Sequence, residues 1–150
     1  MYKRILVPLE NSGTDACIIG HVRTLARHCA AHVLLIHVAD GFVARNFKQL
    51  ELRESDEMRK DREYLDRMCT ELHDEGFTCD AILASGDPAA EIVAAAEREH
   101  ADLIAMGTHG HKLIADLVYG SVASAVRHLS IVPVLLVRDP ALVPAKPALT

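Results

Sequence analysis

The sequence predicts an α/β protein built as a single domain, with a five-stranded parallel open sheet and helices on both faces. Five short runs rich in valine, isoleucine and leucine alternate with four segments whose apolar residues recur at helical spacing. The apolar runs do not alternate strictly with polar residues, which is typical of strands buried on both faces. At 150 residues, half of them hydrophobic, the chain has the usual size and composition of one globular domain.

The predicted strands follow one another at intervals that leave room for a helix between each pair. They cover residues 5–9, 32–38, 79–84, 101–106 and 132–137. Strands that alternate with helices form parallel sheets, and right-handed crossovers leave few strand orders open. The flavodoxin-like and Rossmann-like orders are both candidates. Either order places a ligand beyond the carboxyl ends of the strands, where the strand order reverses.

Each segment between strands carries one apolar stripe, so each predicted helix is expected to pack one face on the sheet. The stripes comprise Ile18, Val22, Leu25 and Cys29, then Met58, Leu65, Met68 and Leu72, then Ile92 and Ala96, and finally Val118, Val122, Ala125 and Leu129. Thr14 or Asp15 is a candidate cap for the first helix. Gly76 is a candidate end for the second helix, and Asp87-Pro88 resembles a cap followed by a first-turn proline.

Two connecting segments stand out by length or composition. The connection after the second strand is predicted to cover residues 39–55, which exceeds the usual ~2–6 residues. A loop of that length at the ligand edge serves either as a lid or as an irregular packing segment. A single domain is predicted to cover residues 1–139, with a flexible, proline-bearing tail over residues 140–150.

The composition argues against several classes of function. The net charge of −5 disfavours nucleic-acid binding, which calls for a basic face. No stretch approaches the ~20 apolar residues of a membrane span, and the first apolar run is shorter than the ~7–15 residues of a signal-peptide core. The four cysteines form no C-x-x-C pair and are interpreted as small core residues of a reducing compartment. A cytoplasmic location without a membrane span is therefore expected.

The segment after the fourth strand carries the predicted chemistry. A Gly-x-x-Gly turn runs from Gly107 to Gly110, and Gly120-Ser121 opens a helix after nine further residues. Glycine lets the backbone approach a ligand closely, and the unpaired N–H groups at a helix start attract an anion. The pattern favours a phosphate site, although strand-to-helix turns without a ligand also carry glycine. Neither a P-loop nor the G-x-G-x-x-G dinucleotide motif occurs.

These motifs resemble those of the universal stress protein family. The glycine spacing is similar to the family's G-x2-G-x9-G-[ST] ATP-binding signature. Residues 5–8, 86–88, 101–107 and 133–137 match, in order, its first strand, its third strand-to-helix turn, its fourth strand and its last strand. The resemblance covers residues 3–138 and implies the adenine nucleotide alpha hydrolase-like form of the fold. It also implies a bound adenine nucleotide, either ATP, ADP or AMP, with Mg²⁺ as a candidate companion ion.

The resemblance assigns roles by position. The implied cofactor-binding residues are Pro8, Glu10, Val38, Met106, Gly107, Gly110, Gly120, Ser121 and Val122. In chain order, the first two border the nucleoside, the third meets the adenine through its backbone, the next two flank the ribose, and the last four hold the phosphates. Glu10 stands where the family usually has Asp, and its longer side chain requires a backbone adjustment to reach the same point.

The resemblance further implies a homodimer paired through the last strand, where Val134 and Leu136 lie. The expected function is that of a nucleotide-binding regulatory dimer in the stress response. A slow ATP hydrolase and a nucleotide-free interaction protein are the alternatives. No catalytic residue is assigned, because the sequence shows no acid–base pair. No metal ligand is assigned either, because zinc takes about four ligands and only His109 and His111 are candidates.

Overall fold

A computed structural model of the chain describes residues 1–40, 47–108 and 120–142, in which strands and helices alternate from the start. The strands are β1 (Arg4–Pro8), β2 (His32–Asp40), β3 (Cys79–Gly86), β4 (Leu103–Gly107) and β5 (Val134–Val137). The helices are α1 (Asp15–Cys29), α2 (Phe47–Asp74), α3 (Pro88–Arg98) and α4 (Ser121–Leu129), followed by a 3-10 turn at Pro140–Leu142. The predicted α/β alternation is confirmed. None of the described helices is both long and apolar enough to span a membrane.

The described strands form one parallel sheet in the order β3-β2-β1-β4-β5. This is the Rossmann-like alternative and not the flavodoxin-like one. The order reverses between β1 and β4, because the chain adds β2 and β3 on one side of β1 and β4 and β5 on the other. The register of β1 with β2 ends at Pro8–Ile36. Since β2 and β4 both continue beyond the end of β1, a crevice opens there.

Two apolar layers cover the two faces of the sheet. One layer packs α1 and α2 on the sheet, and the other packs α3 and α4 on its opposite face. Neighbouring residues of β1 enter different layers: Ile5 and Val7 face the first, and Leu6 faces the second. All three are fully buried, as expected for a central strand covered on both faces. These layers fix the relative positions of the strand ends that border the crevice.

The helix ends follow the predicted caps in two of three cases. The Asp87 side chain accepts a hydrogen bond from Ala90 N at 3.0 Å, with Pro88 in the first turn of α3. Gly76 follows the end of α2 with a φ of 93°. Thr14 makes no side-chain cap at the start of α1. Asp15 instead bonds backward into the preceding loop, as described below.

Two sequence-based predictions, one on a connecting segment and one on a helix, need correction. The loop predicted over residues 39–55 is wrong, because β2 continues to Asp40 and α2 already begins at Phe47. Residues 47–55 lack an apolar stripe, but they are rich in lysine, glutamine, leucine, glutamate and arginine, which favour helix by intrinsic propensity. Leu129, predicted on the core stripe of the last helix, is 58% exposed. The tail predicted from residue 140 is described only to Leu142.

Candidate functional site

A cleft opens at the carboxyl ends of the strands, where the strand order reverses between β1 and β4. Its walls come from the ends of β1, β2 and β4 and from the first turns of α1, α3 and α4. It encloses about 690 Å³ including its open mouth. Of the sequence-predicted site residues, the cleft is lined by Pro8, Glu10, Val38, Met106, Gly107 and Val122.

Gly120 and Ser121 lie beside this cleft at the start of α4. Gly120 has a φ of 72°, and a Cβ at this position would lie 2.5 Å from the carbonyl oxygen of Thr108. Only glycine therefore allows α4 to begin so close to the end of β4. Ser124 N donates to Gly120 O at 2.7 Å, while the N–H groups of the first helical turn lack intrahelical acceptors.

The N-terminus of α4 is a positive feature of the cleft. None of the described residues that line the cleft is lysine or arginine, whereas Glu10 and Asp15 are both acidic. The helix dipole and the first-turn amides of α4, which lack intrahelical acceptors, favour an anion at this end. Gly110, which the resemblance assigns to the phosphates, lies outside the described residues.

The main chain of Val38 faces the gap beyond the end of β1. Ile36 O accepts a hydrogen bond from Leu9 N at 2.8 Å, so the polar groups of Ile36 point toward β1. Successive residues of a strand direct their main-chain groups to opposite sides, so those of Val38 point the same way as those of Ile36. The β1 register stops at Ile36. One N–H donor and one C=O acceptor are thus presented side by side to a ligand.

Asp15 is a buried carboxylate in the wall of the cleft, with 4% of its surface exposed. Its Oδ1 accepts from Glu10 N at 3.0 Å. Its Oδ2 accepts from Ser12 N at 3.3 Å and from the Tyr64 hydroxyl at 2.6 Å. Asp15 therefore ties the loop that presents Glu10 to helix α2. Burial, reinforced by the hydrogen bond to Asp15, raises the pKa of Tyr64 above its ordinary value.

His37 forms a second connection between the cleft and α2. Its Nδ1 lies 2.8 Å from Leu9 O, and its Nε2 lies 3.2 Å from Asp61 Oδ2. Asn11 Nδ2 donates to the other oxygen of Asp61 at 3.2 Å. A carbonyl and a carboxylate are both acceptors, so each ring nitrogen donates to its neighbour when it carries the proton. Sequence patterns give no signal for these contacts, because Asp61 and Tyr64 lie far along the chain from the loop.

The chain is similar to known proteins over nearly its whole length. The model of the universal stress protein family matches residues 1–138. Universal stress protein MJ0577 of Methanocaldococcus jannaschii is 33% identical over 156 aligned positions, which cover 92% of this chain and 96% of that protein. A solved structure of protein MJ0577 has a TM-score of 0.85 at 32% identity, covering 93% of this chain and 97% of the other.

More distant solved structures share the same fold. A universal stress protein from Archaeoglobus fulgidus in complex with dAMP has a TM-score of 0.64 at 22% identity, covering 90% of this chain and 97% of the other. A universal stress protein in complex with cAMP has a TM-score of 0.65 at 19% identity, covering 91% and 97%. The match of the family model to residues 1–138 and the similarity to MJ0577 identify the family. The chain belongs to the universal stress protein family.

Proposed function

We propose that this protein binds an adenine nucleotide in the cleft between β1 and β4 and acts as a cytoplasmic regulatory protein in the stress response. The observation that carries the proposal is the contact between Gly120 and the end of β4. There, the absence of a side chain lets the N-terminus of α4 approach Thr108 at the open end of the cleft. A helix N-terminus in this position suits a phosphate group.

The base would bind at the other end of the cleft. Adenine presents an acceptor at N1 beside a donor at its 6-amino group, which complements the N–H and C=O of Val38. Pro8, Met106 and Ile92 line the same cleft and supply apolar contact area for a flat ring. The two mononucleotide complexes among the structures of the same fold support an adenine ligand.

The ribose and phosphates would connect these two ends. Glu10 and Gly107 line the intervening wall and are the candidate ribose contacts. The amides of Ser121 and Val122, together with Gly110, would hold the phosphates, and Mg²⁺ would accompany a triphosphate. ATP, ADP and AMP differ only at this phosphate end, so the proposal assigns the base and leaves the phosphate number to measurement.

The ligand itself provides the direct test. Purified protein is denatured, and the released small molecules are identified by mass spectrometry. ATP, ADP, AMP and GTP are then titrated separately by calorimetry, with and without Mg²⁺. We expect an adenine nucleotide to copurify or to bind more tightly than GTP. No copurified nucleotide and no heat of binding with any adenine nucleotide would favour the nucleotide-free alternative.

We also propose that the protein is a homodimer paired through β5. Among the described strands, β5 is an edge of the sheet, and a sheet edge offers hydrogen-bonding groups to a second chain. Leu136 is 38% exposed on β5, and two further exposed apolar residues precede this strand in the chain, Leu129 at 58% and Ile131 at 92%. Val134, the other residue predicted at the interface, is half-buried. Exposed apolar side chains beside a free edge are typical of a dimer surface.

The dimer prediction is tested with a charge on this edge. Leu136→Lys is expected to shift the protein from dimer to monomer in sedimentation equilibrium, because the ammonium group would be buried against its own copy. Ser85→Lys places the same charge at an exposed position of β3, the opposite edge strand, and is expected to leave the dimer intact. Equal masses for the wild type and the Leu136→Lys variant would contradict pairing through β5.

A further inference from the structure

Two buried cysteines meet between α2 and β3, on the side of the sheet away from α3 and α4. Their Sγ atoms lie 2.7 Å apart, closer than the ~3.5–4.0 Å between carbon atoms in van der Waals contact. Cys69 is 8% exposed and Cys79 is 3% exposed. They are ten positions apart in the chain, in a helix and in the next strand. No C-x-x-C spacing therefore marks the pair, although the fold brings the two thiols into contact.

The main chain around Cys79 is fixed from the same helix. His73 Nε2 lies 2.8 Å from Cys79 O and 3.2 Å from Cys79 N. Cys79 also pairs with Val33 in the sheet register. The two sulfurs thus belong to rigid elements whose separation is set by packing. The other cysteines, Cys17 and Cys29, are half-buried on α1.

The two thiols differ in exposure. Burial raises the pKa of both. Either thiol can donate the S–H hydrogen bond between them. Cys69 is the more exposed of the two residues, so it is the one that a small oxidant would meet first.

We propose that Cys69 and Cys79 form a reversible oxidation site, at which a hydroperoxide converts the two thiols into a disulfide between α2 and β3. In a reducing compartment, such disulfides are usually transient or sensory rather than permanent. The site is separate from the cleft, and the proposal does not depend on nucleotide binding.

The chemistry balances with hydrogen peroxide as the oxidant. The Cys69 thiolate attacks one peroxide oxygen, so an S–O bond forms, the O–O bond breaks, and the departing hydroxide takes up a proton to become water. The sulfur of Cys79 then attacks the sulfenic acid of Cys69, so the S–S bond forms and the S–O bond breaks. The released hydroxyl takes the Cys79 proton and leaves as a second water. A small dithiol reverses the oxidation by exchange.

Tryptic digestion separates this cysteine pair from the other two cysteines and so provides an assay for the disulfide. Cys69 and Cys79 share one tryptic peptide, residues 68–98, whereas Cys17 and Cys29 lie in two other tryptic peptides. The folded, fully reduced protein is treated with hydrogen peroxide, its free thiols are alkylated, and the digest is analysed by mass spectrometry. We expect peptide 68–98 to lose two hydrogen atoms and to escape alkylation, while the peptides of Cys17 and Cys29 are alkylated. Cleavage after Glu71 or Glu75 should leave two fragments joined until dithiothreitol is added.

Thermal unfolding gives a second readout. Oxidised wild-type protein is expected to unfold on the order of 5 °C higher than reduced protein, because the disulfide restricts the unfolded chain. Cys69→Ser is expected to abolish both the shift and the mass change while retaining the reduced protein's circular dichroism. If that variant does not fold, Cys79→Ser serves the same purpose. Full alkylation of peptide 68–98 after oxidation, or sulfinic acid on Cys69 beside a free Cys79, would overturn the proposal.

Discussion

Replacement of Gly120 by alanine is expected to weaken adenine-nucleotide binding about a hundredfold, which corresponds to ~2.7 kcal/mol. The added Cβ would lie 2.5 Å from Thr108 O, a distance that real Cβ atoms do not tolerate. The positive φ of 72° alone costs alanine about 1–2 kcal/mol. To relieve the close contact between this Cβ and Thr108 O, α4 must move away from the end of β4. That movement displaces the amides of Ser121 and Val122, and hydrogen bonds of this charge-assisted kind contribute about 1.5–3 kcal/mol each.

Gly76 provides the matched control for this substitution. Its φ of +93° carries the same type of backbone strain, but a Cβ there would meet nothing within 4 Å, and it lies at the end of α2 away from the cleft. Gly76→Ala is expected to lower stability by about 1–2 kcal/mol and to leave binding unchanged. Both variants are titrated with ATP by calorimetry, well below their unfolding midpoints. Binding by Gly120→Ala within threefold of wild type would refute the proposed phosphate site.

The parts of this fold that sequence predicts are those with a local physical signature. Residues 5–7 are apolar without alternation, and the structure buries all three on both faces of the sheet. Gly107 and Gly120 are thirteen positions apart, and their motif predicts one phosphate site; the structure places the start of α4 beside Thr108 at the end of β4. In each case the constraint acts within one element or between an element and its immediate successor.

The features that sequence did not predict depend on contacts between distant segments. The local sequence predicts Asp15 as a helix cap. In the structure its carboxylate instead connects the loop that presents Glu10 to α2, because it accepts from the hydroxyl of Tyr64, 49 positions away. The contact of Cys69 with Cys79 likewise depends on how α2 packs on β3. A hydroxyl or thiol on a helix has no periodic pattern that identifies its partner, since periodicity reports only which face is buried.

Asp15→Ala is expected to lower the free energy of unfolding by about 3 kcal/mol, because hydrogen bonds to a charged group contribute ~1.5–3 kcal/mol each. The substitution removes the acceptor of three donors: the N–H groups of Glu10 and Ser12 and the hydroxyl of Tyr64. Water at the cleft can replace part of this loss for the loop amides, which keeps the total below the simple sum. Asp15→Asn is the control of matched size and is expected to lie between wild type and alanine. Urea unfolding at neutral pH measures all three, and an alanine variant as stable as wild type would contradict a structural role for this carboxylate.

The raised pKa of Tyr64, which donates to Asp15, is expected to lower the stability of the protein at alkaline pH. Tyrosine in the unfolded chain titrates near its ordinary pKa of 10.0, whereas the folded pKa is higher. Above pH 10 the folded protein therefore retains a proton that the unfolded chain has released, and stability falls with pH by up to about 1.4 kcal/mol per unit. Tyr64→Phe is expected to lose about 1–2 kcal/mol at neutral pH and to fall less steeply above pH 10. Cys69 and Cys79 contribute equally to both proteins under reducing conditions. Urea unfolding from pH 8 to pH 11 compares the slopes, and parallel curves would show that the hydroxyl of Tyr64 is not held by Asp15 in solution.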